Sequence, residues 1–380
     1  MTGPGLRDQV LLLTPDLHGA DGVSCVARQL ARAVAAAAPA ARLDVWVLAD
    51  EIRTDLAEAA VPGQVRSAGG HRARLVRWIL ERTAFDSRRL LVIVAHARLA
   101  PLALPLVARG ARLAVYLHGI EVWRPLRRLE ATAFRRATTL LANSRHTIRE
   151  FQAANPAFAR TPVGCCPPGV LPPAVLHRRP SGPALVLTVG RMWREERYKG
   201  HDLLLDIWPA VRSAVPGAEL LMVGDGDDRR RLERRAAEPV FGGSIHFPGR
   251  VSRADLDQLY ADCDLFVMPS AREGFGLVFL DAMAAGRPCI GAAGAAAEII
   301  VPGVTGLLVA THDGPGLLEA IVSLLHDPAR RRLMGEAGAR AVAAQFTEAA
   351  FHRRAAVALG LADGPPTLPA LDAAAVERRS

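Results

Sequence analysis

The strongest constraint on this chain is an alternation that runs through most of its length. Short apolar runs recur, each separated from the next by a stretch with helical spacing. Segments 10–13 (VLLL), 43–48 (LDVWVL), 90–95 (LLVIVA), 113–117 (LAVYL) and 139–142 (TLLA) are apolar on nearly every side chain. That is the pattern of parallel strands covered by helices on both faces, not of strands with one wet face. Helices are expected between them, over 22–38 and 146–154. The alternation lapses at 161–183, where Pro and Gly cluster as Thr161-Pro162, Pro167-Pro168-Gly169, Pro172-Pro173 and Pro180-Ser181-Gly182-Pro183, a linker signal. It then resumes with 184–189 (ALVLTV), 218–223 (AELLMV), 245–247 (IHF), 265–268 (LFVM) and 306–309 (GLLV).

Two such series in 380 residues predict an α/β protein of two doubly wound, Rossmann-like domains, since one core rarely sustains a chain of this length. The expected division is 1–178, 179–350, and then 351–380. That last segment reads as a helix near 347–359 crossing back to the first domain, with a loose Pro- and Ala-rich tail from Asp363 onward. No run approaches the roughly 18 to 20 apolar residues of a membrane span, and 10–13 is too brief for a signal peptide. The five cysteines form no C-x-x-C pair, which argues against a disulfide framework or a zinc site and for a cytoplasmic protein.

Charge is unevenly placed. Residues 1–180 hold 25 arginines against 13 acidic residues, whereas 181–380 hold 22 basic against 25 acidic. The basic excess therefore belongs to the first half and suits an acidic partner there, such as a membrane surface or an anionic substrate. Nucleic acid is not expected, because no groove-reading motif accompanies the charge. Of 47 basic residues only one, Lys199, is lysine.

That lysine ends the loop following 184–189. The loop opens Gly190-Arg191 and closes Lys199-Gly200, just before a helix predicted from His201-Asp202. Two cations and the free amides of a helix N-terminus then converge on one anion, and a compact ammonium fits beside a phosphate where a guanidinium does not. Arg194, Glu195, Glu196 and Arg197 read as solvated surface. A second cradle follows 265–268: Glu273-Gly274-Phe275-Gly276 leads into a helix near Leu277, with Val278 next and Asp281 about one turn on. Its glycines let backbone amides approach a ligand, Glu273 at the rim suits hydroxyls, and Asp281 among apolar neighbours calls for a partner. In the first half, 113–117 delivers His118-Gly119 to the functional edge of its sheet. The loop after 10–13 carries Gly19 and Gly22 ahead of a helix, either as a phosphate cradle or simply to turn the chain.

Taken in order, these motifs resemble the retaining GT-B glycosyltransferases of glycosyltransferase family 4. The resemblance covers about 8–360 and includes Gly19 to Val23, His118-Gly119, Ala142-Asn143-Ser144, Pro168-Gly169-Val170, Gly190-Arg191 and Lys199-Gly200. It continues through Val223-Gly224-Asp225-Gly226, Pro248-Gly249-Arg250-Val251, Glu273 to Gly276, Pro302-Gly303 and Thr305-Gly306. It implies a nucleotide-diphosphate sugar as donor, bound in a cleft between the domains. Arg191 and Lys199 would hold the diphosphate, with Gly190 at the start of their loop and the amides of Gly276, Leu277 and Val278 completing the cradle. Glu273, on the Gly274-Phe275 turn, would bind the donor sugar, and His118 would lie beside that sugar from the opposite domain. Arg250 and Val251 would border the base. The family's Glu-x7-Glu pattern uses its second acid on ribose hydroxyls; here that position is Asp281, one methylene shorter.

The resemblance implies hexose transfer with retention, by same-face substitution and without a metal cofactor. Asp262-x-Asp264 reads as a helix end and strand start, not a metal site. The rival readings are weaker. A dehydrogenase fingerprint lacks its third glycine at Gly224-Asp225-Gly226, and no P-loop is present. A non-catalytic nucleotide-sugar or lipid binder of the same ancestry remains the alternative. The acceptor is unnamed by the sequence; the basic first half suits a lipid-linked or anionic one. Residues 71–89 carry six arginines among Leu75, Trp78, Ile79 and Leu80. They form either a helix lying on the inner face of an anionic membrane or one packing its apolar stripe on its own sheet.

Overall fold

The computed structural model describes residues 9–19, 21–49, 61–171 and 182–364. Part of the expected linker (172–181) and most of the C-terminal tail (365–380) lie outside the described residues. The chain separates into two units. The first takes the described residues up to 169 together with 348–364, and the second takes 170–347.

In the first unit the strands are β1 (Gln9–Thr14), β2 (Arg42–Val47), β3 (Gln64–Ser67), β4 (Leu90–Val94), β5 (Arg112–Leu117), β6 (Thr139–Ala142) and β7 (Gly164–Cys165). They form one sheet in the order β3-β2-β1-β4-β5-β6-β7, parallel throughout. Its helices are α1 (Gly22–Ala37), α2 (Arg72–Arg82), α3 (Leu104–Ala108), α4 (Arg128–Arg136) and α5 (Arg145–Ala154). The apolar runs have the expected cause. Leu11 and Leu13 enter one core while Val10 and Leu12 enter the core on the opposite face of the sheet.

The second unit orders its strands β10-β9-β8-β11-β12-β13, again all parallel. They are β8 (Leu185–Val189), β9 (Glu219–Val223), β10 (Ile245–Gly249), β11 (Leu265–Met268), β12 (Cys289–Ala292) and β13 (Gly306–Val309). Its helices are α6 (His201–Ala214), α7 (Arg229–Ala236), α8 (Arg253–Asp262), α9 (Leu277–Ala284), α10 (Gly314–His326) and α11 (Pro328–Gln345). A last helix, α12 (Glu348–Ala358), belongs to the first unit. Phe351 is buried against the ring of Tyr116, Arg32 reaches Glu348 at 2.6 Å, and Arg354 donates to the carbonyl of Pro167 at 2.9 Å.

Three strands escape the periodicity argument. β3 is a polar, largely exposed edge, β7 is two residues long, and β12 (CIGA) is built of small residues. The apolar residues of 71–89 divide between the core and the surface. Leu75 and Ile79 are buried and Trp78 packs edge-on against Trp46, so most of the stripe belongs to the core. Val76, Leu80 and Phe85 remain exposed among arginines. Among the described residues no helix is long and apolar enough to cross a membrane.

Candidate active site

In an open parallel sheet, ligands collect beyond the carboxyl ends of the strands, where the strand order reverses direction. In the second unit that point lies between β8 and β11, and the loops following them are the two singled out by sequence. They touch. Ala271 donates to the carbonyl of Tyr198 at 2.7 Å, and a Cβ on Gly200 would meet the carbonyl oxygen of Pro269 at 2.7 Å. Each loop ends in a glycine of left-handed conformation that starts a helix, Gly200 before α6 (φ 85°) and Gly276 before α9 (φ 100°). Neither helix start has a side-chain cap, the condition under which first-turn amides can serve an anion.

The charged residues meet at this junction. Lys199 Nζ donates to Glu273 Oε2 at 2.7 Å, both side chains being largely buried. Arg191, half-exposed, reaches Glu196 at 2.5 Å. The expectation that 194–197 is mere solvated surface is therefore corrected for two of its four residues. Glu196 is the counter-ion of Arg191. Arg197 donates two hydrogen bonds to the buried carboxylate of Asp228, at 2.9 and 3.0 Å. Asp228 also takes Arg231, and these guanidiniums, Arg231 foremost, hold its carboxyl well below the usual carboxylate range.

The loop carrying Arg191 is in turn fastened to the loop after β9. Met192 donates to the carbonyl of Asp225, Asp228 to that of Met192, and Arg194 to the carboxylate of Asp227. A Cβ on Gly224 would sit 1.9 Å from the carbonyl oxygen of Gly190, and one on Gly226 2.2 Å from that of Met192. The Gly-x-Gly after β9 is thus explained by backbone against backbone. His201, buried at the start of α6, is pushed down to about 4 by burial and by the nearby Lys199. It adds no charge to the site at neutral pH.

Phe275 is buried with its ring on Phe346, so only its backbone can serve a ligand. Arg250 is exposed and Val251 half-buried after β10. Asp281 has found a partner within the protein. Arg253, at the start of α8, donates to both its oxygens at 2.9 and 3.3 Å, while burial pushes the Asp281 carboxyl up. Asp264 accepts from the backbone of Leu185 at 3.0 Å and lies 3.6 Å from Arg331. It fastens a strand start, as its position suggested.

The first unit has its own reversal point, between β1 and β4. After β1, Asp21 caps α1 by accepting from the amides of Val23 and Ser24, both at 2.9 Å. A Cβ on Gly19 would crowd Ser24, Asp16 and Asp21, so packing in the turn accounts for that glycine. Gly22 is the first residue of α1. After β4 comes His96, which sequence reasoning passed over. Its ring stacks on that of His118, with centroids 6.1 Å apart, and its Nδ1 accepts from the amide of Arg98. His118 Nε2 donates to the carbonyl of Ala95 at 2.6 Å, and its amide donates to Glu121 at 2.7 Å. Only the strand order brings His96 to the reversal point, and that is invisible in the sequence. Lys199, Arg191, Glu273 and Asp281 belong to the second unit and His118 to the first.

The sequence family described as Glycosyl transferases group 1 matches residues 183–327. A GDP-mannose-dependent alpha-(1-6)-phosphatidylinositol monomannoside mannosyltransferase of Mycolicibacterium smegmatis is 32% identical over 267 residues, covering 63% of this chain and 68% of the relative. The chain belongs to the group 1 glycosyltransferases. A monoacylated-substrate counterpart from Corynebacterium glutamicum, also GDP-mannose-dependent by name, is 33% identical over 220 residues, covering 54% of this chain and 57% of that protein. The chain therefore spans little more than half the length of that relative. Among solved structures, Anabaena Alr3699/HepE in complex with UDP and glucose aligns with a TM-score of 0.74 over 92% of this chain and 99% of its own, at 21% identity. The two parallel, doubly wound units of this glycosyltransferase are those of the GT-B fold.

Proposed function

We propose that this glycosyltransferase moves a hexose, with retention, from a nucleotide-diphosphate sugar to an acceptor hydroxyl, and that it needs no divalent metal to do so. The observation carrying this reading is the Lys199–Glu273 contact at 2.7 Å, between two uncapped helix starts at the strand reversal of the second unit. The diphosphate lies against Arg191, Lys199 and the amides of Gly276, Leu277 and Val278. An ammonium carries three N–H groups, so Lys199 keeps Glu273 while donating to phosphate. Arg191 exchanges Glu196 for the ligand, and Glu273 takes the sugar hydroxyls.

During transfer the bond from the anomeric carbon to the diphosphate oxygen breaks, and its electron pair leaves with the phosphate. The acceptor oxygen bonds to the same face, and its proton passes to the departing phosphate oxygen. The two cations and the helix amides stabilise that charge as it develops, the task a metal ion would otherwise perform.

The names of the relatives support GDP-mannose as donor and a lipid-linked glycan as acceptor. Such an acceptor places the first unit at an anionic membrane surface. Val76, Leu80 and Phe85, exposed between Arg72, Arg77, Arg88 and Arg89, are the surface suited to it. Melting temperature measured with UDP, GDP, ADP and their sugar conjugates, with and without magnesium, tests the donor reading, because a ligand of the folded state raises stability. A magnesium-independent rise with one nucleotide, lost in Lys199→Ala, is expected. No rise with any of them would overturn it.

A further inference from the structure

Resting on the donor site proposed above, we infer that Arg253, held between Asp281 and Asp257, is the group that hydrogen-bonds the ribose hydroxyls of the donor nucleotide. The family pattern would give that contact to the acid at 281. In this chain the acid is aspartate, its side chain is only 11% exposed, and both its oxygens already accept from Arg253. Arg253 is the outward member of the pair, with 57% of its side chain exposed, and it also contacts Asp257 at 2.9 Å.

These contacts occupy three of the five N–H groups of a guanidinium, leaving two to donate. Ribose hydroxyls accept as readily as they donate, so a cation can read them where a carboxylate usually does. Arg253 must also stay in place. Asp281 lies in an apolar setting beside the fully buried Tyr260, whose hydroxyl has no hydrogen-bond partner among the described residues. Moving the guanidinium away to meet a ligand would strand a desolvated carboxylate, which is costly. Arg253 therefore meets the nucleotide while still bound to Asp281. It does so from the first turn of α8, directly after the Arg250-Val251 segment expected to border the base.

Calorimetry with UDP, GDP and ADP and with their 2′-deoxy forms tests this. The wild-type protein is expected to bind the ribose form of its nucleotide about tenfold more tightly than the deoxy form, the scale of one hydrogen bond to a charged group. Arg253→Met should bring the ribose form down to the deoxy level. Arg253→Met/Asp257→Asn/Asp281→Asn, which neutralises both carboxylates that the guanidinium pairs, should behave the same with an unchanged melting temperature in the absence of ligand. Asp281→Asn alone should keep most of the discrimination. Discrimination that survives in either Arg253→Met variant, or that is lost in Asp281→Asn alone, would overturn the assignment. So would equal wild-type affinity for the two forms. If no nucleoside diphosphate binds the wild-type protein, the donor reading itself falls; binding that depends on Lys199 but not on Arg253 refutes only this inference.

Discussion

The two units share one architecture and furnish its functional edge in opposite ways. At the strand reversal of the second unit the loops bring charge: Arg191 and Lys199 after β8, Glu273 after β11, with two uncapped helix starts beside them. At the reversal of the first unit the helix start is already occupied by Asp21, and the neighbouring side chains are the stacked imidazoles of His96 and His118. The first unit is nonetheless the basic half of the chain. Many of its arginines lie on the outer faces of α2 and α4, and Arg28, which does reach the loop after β1, donates to the carbonyls of Leu17 and Gly19. Net charge thus says little about a site; what counts is which residues the sheet delivers to its reversal point. A charged, anion-ready edge suits a diphosphate. A polar edge with donor and acceptor nitrogens suits the hydroxyl of an acceptor.

The largest expected effect comes from removing the charge of the second unit. Lys199→Ala should lower kcat by about 10²–10³-fold, the cost of one preorganised donor to a developing oxyanion. The same substitution leaves Glu273 without its partner, so donor KM should change as well. A steady-state assay separates the two, and near-normal turnover would sink the phosphate role.

The same edge excludes one charge as firmly as it gathers others. His201 has its pKa in the folded state at about 4, against 6.5 ordinarily, because burial and Lys199 disfavour its cation. The unfolded chain therefore binds the proton more readily between those values. The stability associated with neutral His201 is full above pH 6.5, is lost as pH falls towards 4, and levels off below. The total is about 3 kcal/mol. Urea unfolding followed by fluorescence, with Trp208 buried in the same helix, should show this slope in the wild type. His201→Gln should lose that component of it.

Glycines at the two edges separate backbone constraint from side-chain constraint. Gly224→Ala drives a Cβ into the carbonyl of Gly190, at φ 141°, and neither backbone can yield without moving the Arg191 loop. A loss of about 3 kcal/mol is expected. At Gly19 the crowding atoms are side chains, Ser24 Oγ and Asp16 Oδ2, which can rotate away. Gly19→Ala should cost about 1 kcal/mol. Denaturant midpoints of the two variants decide it, and equal losses would break the contrast.

The sequence made some of this plain and concealed the rest for physical reasons. Buried parallel strands were legible because both of their faces meet a core, as Val10 and Leu11 do. The edge strand β3 was not, because little of it is buried. Lys199 and Gly276 stood out because a lone lysine and a glycine at a helix start are local signals. The partners Glu196, Asp228 and Arg253 were hidden. A hydrogen bond between residues 28 apart, as from Arg253 to Asp281, follows from packing and leaves no periodic trace. His96 was concealed for the same reason: a histidine after a strand acquires significance only once that strand is known to adjoin β1.

The smallest effect falls on that histidine and sharpens the description of the first unit's edge. His96 accepts at Nδ1 from the amide of Arg98, which places the proton of its neutral form on Nε2 as a donor. His118 donates from Nε2 to Ala95, which leaves its Nδ1 as an acceptor. Together they offer a hydroxyl one donor and one acceptor. Burial lowers the His96 pKa from its ordinary value of 6.5, with Glu121 opposing and His118 reinforcing that shift. The neutral ring therefore persists below pH 6.5, so protonation of His96 contributes to a rise in acceptor KM only in more acidic solution. His96→Asn should raise acceptor KM about threefold at pH 7.5, the scale of one neutral hydrogen bond, and leave donor KM alone. It should also flatten the acidic rise. A variant that instead altered donor KM would place His96 with the nucleotide sugar and erase the division of labour drawn between the two edges.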